Sequence, residues 1–352
     1  MREHLRDLLV CPACRGELTW DIFEVENSDT QIAIEDTGVG GARAPNYDIM
    51  EGRAECSACG ATYSVKDGIG AFLTPDVQRE DLWEEVDSHL SAFLRENPEI
   101  DERLTKSPLE SLSGVDRFFR SMVLMERGDY AGAREAASNL GGIYTPEYEA
   151  GQRSQIEHVL NLVSATSGLI VDLASGAGTL VERLACCFPD RQVVVTDFSP
   201  RVLRRNKKYL HYLGIDKNLD FLAFDVRRMP FRDDCVPVFT SHVGLQNIRY
   251  PRRAVAEISR TLKGYMFATS IFYPKGDLET DQLLRENGLA DLCYMDSALK
   301  VFTESGLRVS VENLMEVRAQ PTPRSELLGG AGFDALPVKE MAISWCTLVA
   351  RH

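Results

Sequence analysis

The chain has 352 residues, 44% of them hydrophobic and 26% charged, with a net charge of −14. That length predicts two or three domains with real cores. No apolar run is long enough to cross a bilayer, and the charged opening MREHLRDLL lacks the apolar block of a secretory signal, so a cytoplasmic protein with no membrane role is expected. The acid is concentrated in front. Residues 1–75 carry 6 basic and 13 acidic side chains, residues 76–150 carry 8 and 17, and the remainder 25 and 23. An acidic front half repels phosphate backbones, so nucleic acid is not an expected partner there.

In chain order, the first features are two cysteine pairs, Cys11 and Cys14 in LLVCPACRGEL, and Cys56 and Cys59 in CSACGATYSVKDGIGAFL. A Cys-x-x-Cys turn aims both thiolates at one point, and two such knuckles complete a four-sulfur tetrahedral site suited to structural Zn2+. Pro12 and Gly60 fit the tight turns. Four buried free cysteines would not require the doubled spacing, and a redox dithiol would call for a βαβ pattern that is absent. Between the pairs, LTWDIFEV and QIAIED read as strands and TGVGGARAPN as an inserted loop. The other five cysteines are scattered through the second half.

These two stretches resemble the small zinc-ribbon activator subunit of tRNA and protein methyltransferases. That family closes its ribbon with Cys-x-x-Cys, an aromatic, a D-G-I-P-like turn and an apolar strand. The counterparts are Tyr63, Asp67, Gly68, Ile69 and Ala71–Leu73, with Gly70 where proline is usual. The resemblance covers about residues 5–75.

From residue 76 to 145 the pattern is helical, with apolar residues at three- and four-residue intervals: Leu82, Val86, Leu90, Phe93, Leu94. RGDYAGAREAA resembles half a tetratricopeptide unit, but one copy is no array, and an ordinary helix hairpin is expected. This stretch reads as an acidic linker or lid.

GLIVDLASGAGTLVERLACCF then predicts a buried strand, a Gly-rich turn and a helix, with Asp172-x-Ala174-x-Gly176-x-Gly178 at the turn. QVVVTDFSP ends a second strand at Asp197, where a carboxylate can accept both hydroxyls of a ribose. LDFLAFDV ends a third at Asp225, placed for an adenine amino group, and VPVFTSHVGLQNI ends a fourth at Ser241 and His242. Pro237 must sit at that strand's start or on a bulge. Ligands of open α/β sheets bind beyond the carboxyl ends of the strands, so these features converge on one crevice. A dinucleotide fingerprint fails, because Val181 stands where its third glycine belongs.

Residues 168–352 resemble the class I S-adenosylmethionine-dependent methyltransferases, with Ala174 in place of the first glycine of their leading motif. The expected fold is α/β, a Rossmann-like seven-stranded methyltransferase domain (146–352) preceded by a small zinc-ribbon β domain (1–75) and a helical linker or lid (76–145). The resemblance implies that Asp172, Ala174, Ser175, Gly176 and Gly178 hold the methionine portion of S-adenosyl-L-methionine. It places Asp197 and Phe198 at the ribose, Asp225 and Val226 at the adenine, and Ser241 along the same wall. Tyr144, with Tyr148, would lay an aromatic ring over the cofactor or pack in the core. His242 is the candidate catalytic base, or else a residue that packs or positions substrate. Gln246 and Asn247 are candidate acceptor contacts or helix caps. The N-P-P-Y-type signature of amide and base aminomethylases is absent, with SHVGLQN in its place. The leading expectation is methylation of a small-molecule acceptor, in secondary metabolism, by a chain that contains its own ribbon; a homodimer is left open. One alternative is a ribosomal RNA base methyltransferase that reads RNA with its ribbon, using RVLRRNKK (residues 201–208) or RYPRR (249–253) as basic surface, although the first reads as a solvated helix face. Another is a non-catalytic partner subunit, against which the intact cofactor motif speaks.

Overall fold

The computed structural model describes residues 1–27, 47–75, 82–138, 140–332 and 334–352, with residues 82–88 as backbone only. The expected QIAIED strand and Gly-rich loop lie outside the described residues. The front piece contributes β1 (Leu18–Asn27), β2 (Tyr47–Cys56), β3 (Thr62–Lys66) and β4 (Ile69–Phe72). Next come α1 (Leu82–Glu96), α2 (Pro98–Lys106), α3 (Gly114–Arg127) and α4 (Tyr130–Ala137). The remainder alternates: α5 (Pro146–Ser164), β5 (Ile170–Asp172), α6 (Thr179–Cys187), β6 (Val193–Asp197), α7 (Pro200–Tyr212), β7 (Leu219–Phe224), β8 (Val236–His242), α8 (Arg252–Thr261) and β9 (Leu262–Phe272). It closes with α9 (Leu278–Glu286), α10 (Ala290–Cys293), α11 (Met295–Glu304), β10 (Arg308–Ala319) and β11 (Met341–Arg351). Among the described residues no helix is long and apolar enough to cross a membrane.

Strands β5, β6 and β7 are buried along their whole length, as expected of parallel strands covered by helices on both faces. The seven rear strands run β7-β6-β5-β8-β9-β11-β10, parallel except where β11 pairs antiparallel with β9 and β10. The chain leaves β5 toward β7 and then returns to β8 on β5's other side. The crevice therefore opens between β5 and β8, where the winding reverses. Pro237 falls at a register shift between Val236 and Val238, so its missing N–H costs no regular ladder bond. Beside it, a Cβ on Gly264 would lie 2.4 Å from the Pro237 carbonyl.

The ribbon does not stand apart. Strand β4 pairs in parallel with β7, Ile69 opposite Phe221 through Phe72 opposite Phe224, making one 11-stranded sheet. Gly70 takes the place of proline at the tightest point of this seam: a Cβ there would meet Leu222 Cδ2 at 2.8 Å and Phe72 at 2.9 Å. A second seam joins the first knuckle to the loop after β7. Val10 donates to the Pro230 carbonyl at 2.7 Å and Arg232 to the Leu8 carbonyl at 2.9 Å. The Glu257 carboxylate accepts from Arg15 (3.0 Å), Arg260 (2.7 and 2.9 Å) and the Met229 amide (3.0 Å). A third contact is buried: Arg2 and Asp220, 3% and 1% exposed, form an ion pair.

Helix α7 was expected to present a solvated basic face. Lys208 is exposed as expected, but three of the helix's basic residues dock the front pieces. Arg201 reaches Glu126 and Ser91, each at 3.1 Å. Arg204 pairs with the Asp67 carboxylate at 3.6 Å, and Lys207 donates to the Asp67 carbonyl. The thread between β10 and β11 crosses to the helical linker, where Ser325 donates to Asp116 and Leu328 joins the core of Leu104, Phe119 and Met122.

Candidate functional site

The Gly-rich turn follows from its backbone. Ala174, Gly176 and Gly178 have φ of +51°, +51° and +79°. Glycine adopts that region freely and alanine only under strain. The turn is packed from behind, since a Cβ on Gly244 would lie 2.4 Å from the Ala174 carbonyl and 2.8 Å from its Cβ. Two side chains brace it. Asp197 Oδ2 accepts from the Gly176 amide at 2.9 Å, and the Asn206 amide donates to the Gly176 carbonyl at 2.6 Å.

In front of the turn lies a crevice of about 440 Å³ at the strands' carboxyl ends, a size typical of small-molecule sites. Of the sequence-predicted residues, its wall includes Ala174, Ser175, Gly176, Asp197, Phe198, Asp225, Val226, His242 and Asn247. Burial raises the Asp197 carboxyl above the ordinary range, while the amides of Ser199 and Gly176 pull the other way. Asp225 is gripped by Arg227, whose Nε lies 3.0 and 3.1 Å from the two oxygens and whose Nη2 lies 2.8 Å from Oδ2. Arg227 Nη1 also donates to the Arg249 carbonyl at 3.3 Å, tying the two walls together. Sequence reasoning missed Arg227, Ile248, Arg249 and Tyr250 on this wall. Their only signal was position, just after Asp225 and just after β8.

Asp172, Gly178, Ser241, Tyr144, Tyr148 and Gln246 do not line the crevice. Asp172 is fully buried behind the turn, accepts from Thr240 Oγ1 at 2.7 Å, and is pushed by burial up to about 6. Gly178 is the N-cap of α6. Ser241 is buried and donates to the Leu173 carbonyl at 2.9 Å. Tyr144 does not reach the crevice: its hydroxyl donates to Asp334 at 2.7 Å and its ring stacks on Tyr148 at 4.4 Å. Gln246 neither caps a helix nor faces the crevice. It is a buried clamp, donating to the Ile271 and Leu292 carbonyls (2.6 and 2.8 Å) and accepting from the Ile271 amide at 2.7 Å.

His242 has its ring parallel to Trp345, with centroids 6.1 Å apart. Nδ1 lies 2.7 Å from Thr269 Oγ1 and Nε2 lies 3.1 Å from Gln152 Nε2. With the Gln152 amide nitrogen turned toward it, Nε2 accepts and the ring's proton sits on Nδ1, toward Thr269. Burial lowers its pKa to about 4, leaving it neutral at pH 7.

In the ribbon, the Sγ atoms of Cys11, Cys14, Cys56 and Cys59 lie within 4.8 Å of one another. The Cys11–Cys59 and Cys14–Cys56 separations are 3.7 and 3.4 Å. Four thiolates about 2.3 Å from a tetrahedral ion would lie roughly 3.8 Å apart. Gly16 leaves the space: a Cβ there would meet Cys56 Sγ at 2.9 Å and Cys14 Sγ at 3.3 Å. The donor set and spacing fit a zinc ion.

Two families match, one over each site. Residues 170–264 match the family described as a methyltransferase domain, and residues 2–68 the family described as Trm112p-like protein. The ubiquinone/menaquinone biosynthesis C-methyltransferase UbiE of Pseudomonas syringae is 29% identical over 192 residues, 53% of this chain and 72% of that protein. UbiE of Shewanella frigidimarina is 28% identical over 125 residues, 34% of this chain and 50% of that protein. The demethylmenaquinone methyltransferase of Renibacterium salmoninarum is 32% identical over 134 residues, 36% and 53%. The chain thus spans about half the length of two of these relatives. Among solved structures, the YcgJ protein of Bacillus subtilis superposes with a TM-score of 0.45 at 14% identity, over 56% of this chain and 97% of that one.

Proposed function

We propose that this chain, a methyltransferase domain behind a Trm112p-like ribbon, transfers the methyl group of S-adenosylmethionine to a small-molecule acceptor and holds one structural zinc ion in its ribbon. The carrying observation is the crevice where Asp197 at the end of β6, Asp225 just beyond β7 and His242 at the end of β8 face one space beside the Gly-rich turn. When bound, the cofactor supplies an electrophilic methyl on a sulfonium. The chain supplies alignment and exclusion of water. Asp197 offers its carboxylate to the ribose hydroxyls. Asp225, held by the Arg227 fork, presents a fixed edge to the adenine amino group, and Phe198, Val226 and Ile248 give the base apolar walls. Neutral His242 is in the right form to accept a proton from an acceptor that carries one, but Gln152 must first release Nε2. The names of the relatives include C-methyltransferases of quinone biosynthesis, which brings a carbon acceptor within reach of this reading.

The ribbon's role in this reading is to brace the cofactor wall. Its knuckle holds residues 229–232, directly after Asp225–Arg228, through the two backbone bonds and Glu257 described above. The geometry gives little support to an RNA reader. The basic helix faces Glu126 and Asp67, and Arg252 is committed to Asp291 and Glu304 at 3.0 and 2.8 Å. Calorimetry tests the reading: S-adenosylhomocysteine should bind and nicotinamide dinucleotides should not. Asp197→Ala should weaken binding by about tenfold or more, the worth of hydrogen bonds to a charged group. Binding of NAD with no binding of the sulfonium cofactor or its product would overturn it.

A further inference from the structure

The crevice has a neighbour. A second cavity of about 480 Å³ opens between the helical linker and the α5–α6–α7 layer. The two spaces share Ala177 and Thr179 of the Gly-rich turn as a common wall. They also meet through one contact: Gln152 lines the second cavity, His242 lines the first, and their Nε2 atoms are 3.1 Å apart. The floor is apolar, built from Phe118, Met122 and Met125 of α3 and Ile156 of α5. Three arginines, Arg153, Arg183 and Arg205, face it against two acids, Glu157 and Glu182.

We propose that this second cavity holds the body of the methyl acceptor, a molecule with an aromatic or short apolar body and an anionic group, whose reactive end passes Gln152 to reach His242. The inference rests on the methyltransferase reading and deepens it. The cavity lies between two docked layers and opens to solvent past Arg153, Glu157 and Arg183, all exposed, so a ligand has a way in. Its volume suits a small ligand, and methionine walls adapt to such shapes. Arg153 is paired with Glu149 at 3.7 Å, but Arg183 makes no ion pair among the described residues and offers its charge to an anion, although the linker that supplies the floor is acidic overall. Residues 69–169, which supply Phe118, Met122, Met125, Gln152 and Ile156, lie outside both family matches, and acceptor specificity is the property a shared cofactor domain does not carry.

The test uses the full chain with methyl-labelled methionine and 8-anilinonaphthalene-1-sulfonate, an aromatic sulfonate, as probe. The Met122 and Met125 signals are assigned with Met122→Leu and Met125→Leu. The probe should shift those two resonances saturably. Ile156→Trp, which fills the floor, should weaken probe binding by about tenfold, equivalent to about 1.4 kcal/mol, while S-adenosylhomocysteine affinity stays within about twofold. Met125→Glu, which sets a like charge at the wall, should also expel the probe and guards against Ile156→Trp failing to fold. Probe binding that leaves both methionine signals unmoved, or that neither substitution weakens, would overturn the proposal. Failure of the wild-type chain to bind S-adenosylhomocysteine would sink the cofactor reading instead, and the methionine signals would still report on the cavity.

Discussion

Asp220→Ala probes how firmly the ribbon is built into the rear sheet. Asp220 lies on β7, next to the seam with β4. Oδ1 accepts from the Arg2 amide at 2.7 Å, Oδ2 lies 3.4 Å from Arg2 Nη1, and the Gln192 amide also donates to Oδ2. Burial alone would raise the Asp220 carboxyl, but the Arg2 charge and these hydrogen bonds hold it below the usual range. The substitution leaves a guanidinium 3% exposed without its counter-ion. Breaking one side of a buried pair costs about 3–5 kcal/mol, a third or more of the stability of many domains. Urea unfolding at pH 7.5 measures it. Trp20 on β1 packs edge-on against Phe72 of β4 at 6.1 Å, so its fluorescence reports the ribbon side of the seam. Arg2→Met/Asp220→Leu should recover most of the loss, because an apolar pair of similar volume carries no desolvation penalty. A cost below about 1 kcal/mol for the single variant, the range of solvated surface pairs, would refute the reasoning.

Three further outcomes are expected. Cys56→Ser should remove bound zinc, read by metal analysis, and lower the ribbon's unfolding temperature; retention of a full equivalent of zinc would contradict the four-sulfur site. His242, with its pKa depressed from 6.5 to about 4, favours the neutral form. Its contribution is therefore complete above pH 6.5 and lost as pH falls toward 4, by at most about 3 kcal/mol, a ceiling because the crevice leaves one edge open to water. Unfolding free energies of wild type and His242→Gln across pH 4–7.5 should converge on the acid side, and parallel curves would count against a buried neutral ring. Gly244→Ala drives a Cβ into the Ala174 carbonyl; it should displace the turn and weaken S-adenosylhomocysteine binding by at least about tenfold by calorimetry, with a cost of about 1–3 kcal/mol typical of overpacking.

What the sequence determined by itself is local and periodic. The doubled Cys-x-x-Cys spacing specified four sulfurs that close on one point, because each knuckle is a short turn whose geometry depends on few other residues. The buried runs at Ile170–Asp172, Val193–Asp197 and Leu219–Phe224 announced a covered parallel sheet, and the carboxylates of Asp197 and Asp225, at or just beyond the ends of the last two, announced the crevice, whereas Asp172 at the end of the first turned out to be buried behind the turn. Tertiary structure decided whatever depends on partners distant in the chain. RVLRRNKK reads as a solvated face because an amphipathic pattern shows that a side is polar, not what covers it; Glu126 and Asp67 cover it here. Tyr144 and Gln246 carry the chemistry of ligand contacts, but Asp334 for one, and the carbonyls of Ile271 and Leu292 for the other, satisfy that chemistry from up to 190 residues away. The joining of β4 to β7 is of the same kind. An edge strand's unpaired N–H and C=O groups demand a neighbour, but only the folded arrangement, with room at Gly70 and a charge pair at Arg2 and Asp220, selects the ribbon as that neighbour and makes two family segments one sheet.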